Sequence, residues 1–100
     1  MSGTLSERIF VRAKLASAVR ALAAPRKCHE KIELAYQSLV GLEADDFENA
    51  QHGSEFEALR TAMRAAIEQH SLGVTSALSE SVCDQFSEEI YELTLRANLT

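Results

Sequence analysis

The chain has 100 residues, 46% of them hydrophobic and 25% charged, with a formal net charge of −5 at pH 7. This mixture excludes a disordered chain, and the length fits one domain over residues 1–100. No apolar run approaches the roughly 20 residues of a membrane span, and Arg8, Arg12, Lys14 and Arg20 interrupt any secretory apolar core.

The charge is unevenly divided. Residues 1–27 carry six bases against Glu7, a net of +5, and residues 28–100 carry four bases against fourteen acids, a net of −10. Such a division fits either a basic arm for nucleic acid or a basic helix lying beside acidic neighbours of its own fold. The second is the reading preferred here, because an acidic remainder repels a phosphate backbone.

One proline and four glycines among many Ala, Leu and Glu favour helix over sheet. Thr4 and Glu7 form a capping box that opens the first helix. Its apolar stripe is Val11, Leu15, Ala18/Val19 and Leu22; Arg8 and Arg12 flank the stripe, and Phe10 lies off it. Pro25 ends this helix in a tight turn, with a kinked continuous helix as the alternative. A second helix runs from about Arg26 with Cys28, Ile32, Ala35, Leu39 and Leu42 on one seam, while Leu34 points elsewhere. Gly41 either ends it or is tolerated inside a helix running on towards Gly53, and residues 43–53 read as an irregular, acidic connection.

The most complete helix signal is Ser54 to Gly73. Ser54 and Glu57 make a capping box, and Phe56, Leu59, Met63, Ala66/Ile67 and His70 share one face. Gly73 closes the helix. After a turn at Gly73–Thr75, Leu78, Val82, Phe86, Ile90, Leu93 and Ala97 line a fourth helix, with Cys83 at the border. Tyr91, Leu95 and Leu99 form a second stripe on another side. Four such elements joined by short turns predict an all-α fold, an antiparallel up-down-up-down four-helix bundle.

Chemistry is sparse. Cys28 and Cys83 stand in no metal-like spacing, and two buried free thiols in a reducing cytoplasm are expected, a helix–helix disulfide being the alternative. Glu-x-x-His pairs of a di-iron bundle are missing, as are phosphate-cradling glycine loops and nucleophile elbows, so neither metal nor cofactor is expected. His29 with Glu33, and Glu48 with His52, read as solvated polar pairs. His70, on the seam of its helix, reads as a partly buried structural histidine.

Arg64-x5-His70 resembles the Arg-x4–6-His signature of HEPN-type ribonucleases, which are small helical bundles, although Ala65 stands where that family has a polar residue. The resemblance implies RNA cleavage through Arg64 and His70. His70-Ser71-Leu72-Gly73 is similar to a histidine-phosphotransfer motif but lacks the lysine before the glycine.

The functional expectation is a self-associating helical interaction module, a homodimer without enzymatic activity. Its partner surface is drawn from apolar residues left over by the core seams: Phe10, Leu34, Tyr91, Leu95 and Leu99. The alternative is a nucleic-acid-binding protein or ribonuclease using Arg8, Arg12, Arg64 and His70.

Overall fold

The computed structural model describes residues 5–99, with side chains given for 9–97, and is built from four helices with no strand among the described residues. Helix α1 spans Leu5–Ala23, α2 Cys28–Ser38, α3 Ala50–Ser71 and α4 Glu80–Leu99. Short 3-10 turns at Ala44–Asp46 and Thr75–Leu78 precede α3 and α4. The capping box at Thr4 and Glu7 lies outside the described residues.

The apolar stripes read from the sequence close on one core. Val11, Leu15, Ala18 and Leu22 of α1 meet Ile32 and Ala35 of α2 with Leu39 just past its end, Phe56, Leu59 and Met63 of α3, and Phe86, Ile90 and Leu93 of α4. Leu42, Phe47 and Leu78 add cover from the connections. α1 packs on α2 and α4, and α3 packs on the same two helices. The resulting body measures 44 × 23 × 19 Å. No helix among the described residues is long and apolar enough to cross a membrane.

The breaks follow local chemistry. Pro25 lies in a bend between α1 and α2, so the turn forms rather than the kinked continuous helix. α2 starts at Cys28, where the Lys27 amide donates to Glu30 Oε1 at 3.2 Å. It stops at Ser38, and Gly41 at φ 92° turns the chain away. At the end of α3, the Val74 amide donates to Gln69 O and the Gly73 amide to His70 O, each at 3.0 Å. With Gly73 at φ 99°, this is the Schellman closure the glycine predicts.

The start of α3 differs from the reading at Ser54. The cap lies five residues earlier, because Asn49 Oδ1 accepts from the Gln51 and His52 amides at 2.8 and 3.3 Å. Gly53 and Ser54 therefore lie inside α3, and the irregular acidic connection ends at Asn49. Gly53 is needed there for closeness: a Cβ built on it comes within 2.5 Å of Ala44 O.

Candidate functional site

The outer side of α4 follows from its periodicity. Ile90 and Leu93 are buried, which turns Tyr91 and Leu95, one turn apart, outward at 42% and 62% exposure. On α1, Ile9 and Phe10 are likewise exposed beside a buried Val11, and Lys14 Nζ sits 5.6 Å from the centre of the Phe10 ring. Leu34 leaves this set: it is half-buried and lines a groove between α1 and α2 with Ser17, Ala21 and Gln37. The Leu99 side chain lies outside those described. Three further apolar residues are exposed at connections, Val40, Leu72 and Val74.

The residues of the ribonuclease reading fall into separate settings. Arg64 is ion-paired with Glu68 across one turn at 3.3 Å, both well exposed, and lines a groove with Tyr36, Val40 and Arg60. His70 instead stacks on His29, ring centres 4.8 Å apart and planes inclined by 25°. Its Nδ1 is buried without a hydrogen-bond partner. His29 is thus not the solvated partner of Glu33 that the spacing predicts; its ring is half-buried because α2 begins where α3 ends. On α1, Arg12 is exposed and Arg20 donates to Ser17 Oγ at 3.2 Å; the Arg8 side chain is outside those described. His52 is half-buried in a small cavity of about 30 Å³ walled by Val11, Arg12, Asp46, Phe47 and Ala97, room for about one water.

Three ties join elements, the first two unforeseen in the sequence and the third only the alternative there. Arg60 donates from Nη1 to Leu42 O at 2.8 Å, pairs through Nη2 with Glu57 at 2.7 Å, and covers the Phe56 ring at 5.2 Å. Arg96 near the end of α4 reaches Glu55 near the start of α3 at 3.0 Å. Cys28 and Cys83 are joined in a disulfide, Cα atoms 6.0 Å apart, so the expected free thiols are corrected. The helix–helix disulfide weighed as the alternative is the one that forms: across 55 residues, the packing of the start of α2 against the start of α4 brings the two together.

Among the described residues, no group of three or more His, Cys, Asp or Glu is placed to hold a metal ion. What the surface offers is a pair of apolar outcrops, on α1 and on α4, with charges of opposite sign around them. No family model matches the chain, and no curated protein or solved structure does.

Proposed function

We propose that the chain is a helical interaction module that pairs with a second copy of itself, α4 of one copy lying on α1 of the other. The observation that carries this reading is the exposed pair Tyr91 and Leu95 on the outer side of α4. Three apolar side chains or fewer are unremarkable alone on a surface, so the argument needs charge as well. α4 holds Glu80, Asp84, Glu88, Glu89 and Glu92 against Arg96, while the first 27 residues are net +5. A two-fold arrangement pairs each acidic α4 with a basic α1, and Tyr91 and Leu95 with Ile9 and Phe10, twice over. An α4-on-α4 arrangement instead sets acid against acid.

The reading also takes the bundle as antiparallel, up-down-up-down. Support comes from contacts between opposite helix ends: His29 at the start of α2 with His70 at the end of α3, and Glu55 with Arg96. A cytoplasmic location accords with this proposal only if the cystine is a conditional bond.

Sedimentation equilibrium tests the association. A dimer is expected at micromolar concentration in low salt, weakening as salt rises, and Leu95→Glu is expected to give a monomer with unchanged circular dichroism. A wild-type monomer at high micromolar concentration in low salt overturns the proposal.

A further inference from the structure

From the setting of the Cys28–Cys83 pair we infer that the protein carries a peroxide-responsive thiol switch, Cys28 being the attacking thiolate and Cys83 the resolving thiol. The inference is independent of self-association.

The two sulfurs line one groove but differ in burial and in the charges beside them in sequence. Cys28 is the first residue of α2 and is half-buried, lining a groove of about 350 Å³. Arg26, Lys27 and Lys31 line that groove around the start of α2, and Glu80, Asp84 and Cys83 itself line it along α4. A helix N-terminus with cations on its own side of the groove stabilises a thiolate, and an open groove admits a small oxidant. Cys83 is 4% exposed, and its nearest charged neighbours in sequence are Glu80 and Asp84, which line the groove with it. Burial and those carboxylates favour its neutral thiol. Each sulfur also lies against a carbonyl oxygen, Ser79 O for Cys28 at 3.8 Å and Leu78 O for Cys83 at 3.7 Å, so that contact does not separate them.

This division of labour suits a two-step oxidation. The Cys28 thiolate attacks one oxygen of a hydroperoxide, forming an S–O bond as the O–O bond breaks. The departing alkoxide or hydroxide takes up a proton, leaving a sulfenic acid on Cys28. The Cys83 sulfur then attacks Cys28 Sγ; the S–S bond forms, the S–O bond breaks, and water leaves with the thiol proton. Two equivalents of a small thiol reverse the change, yielding their own disulfide and the protein dithiol. The oxidised pair ties the start of α2 to the start of α4, and reduction releases that end of the bundle.

The test uses the full chain, reduced and freed of reductant, with hydrogen peroxide as probe. One equivalent is expected to produce the intramolecular disulfide, read by mass and by free-thiol count, about tenfold faster in the folded protein than in urea. In Cys83→Ser, a dimedone-type probe is expected to label Cys28 as sulfenic acid. Lys27→Ala with Lys31→Ala is expected to slow the wild-type reaction. If Cys83→Ser fails to fold, limited alkylation of the reduced wild-type protein replaces it, with Cys28 modified first. A folded-state rate no faster than in urea, or alkylation of Cys83 before Cys28, overturns the proposal and leaves the cystine as an inert staple.

Discussion

Gly53 and Arg60 show how single residues set the junction between the α2–α3 connection and α3. On helix propensity alone, Gly53→Ala gains about 1 kcal/mol. The added methyl, however, falls 2.5 Å from a backbone oxygen, Ala44 O, which cannot swing aside as a side chain could. Overpacking against backbone costs about 1–3 kcal/mol, so a net loss of stability is expected in urea unfolding. A more stable Gly53→Ala protein contradicts the close approach. Arg60 works through geometry: its guanidinium reaches a carbonyl, a carboxylate and an aromatic face at once. Its pair with Glu57 is partly exposed and contributes little by itself. Arg60→Ala leaves Leu42 O without that donor and strips cover from Phe56, at a cost of about 1–2 kcal/mol in the same measurement. Neither role is legible in the chain as written, because both depend on what lies opposite. A buried glycine and a partly exposed arginine look ordinary until Ala44 and Leu42 are placed beside them.

At the scale of the helix, the apolar period was readable and the cap was not. Phe56, Leu59 and Met63 are all buried, as their spacing requires. The same sequence offers two competing starts for α3, the Ser54–Glu57 box and Asn49. Asn49 prevails because the turn at Ala44–Asp46 needs Gly53 already helical to pack against it. Asn49→Ala is therefore expected to cost about 1 kcal/mol, with hydrogen exchange speeding up at Gln51 and His52. Unchanged exchange at those amides points back to the cap at Ser54. Gly73 is the opposite case. Its positive φ and the closing amides are local requirements, which is why the end of α3 was visible beforehand.

Across the whole molecule, the disulfide constrains the chain most. A loop of 55 residues closed by one bond removes unfolded-state entropy corresponding to about 4 kcal/mol in the loop-closure picture. Urea unfolding with and without reductant is expected to show a midpoint falling on reduction with little change in cooperativity; an unmoved midpoint means that the bond does not form in solution. The charge division acts at this scale too, since it gives the proposed dimer its salt dependence.

Hydrophobic spacing by itself determined that the chain is helical, where its four apolar faces run, and that Tyr91 and Leu95 belong to no core seam. Periodicity is a local property of the backbone, so it survives in a linear string. Tertiary structure alone decided that Cys28 meets Cys83, that His29 lies on His70, and that Arg64 and His70 have different neighbours. Those pairings depend on how the helices rotate and slide against one another, and no spacing along one helix encodes its contacts on the next.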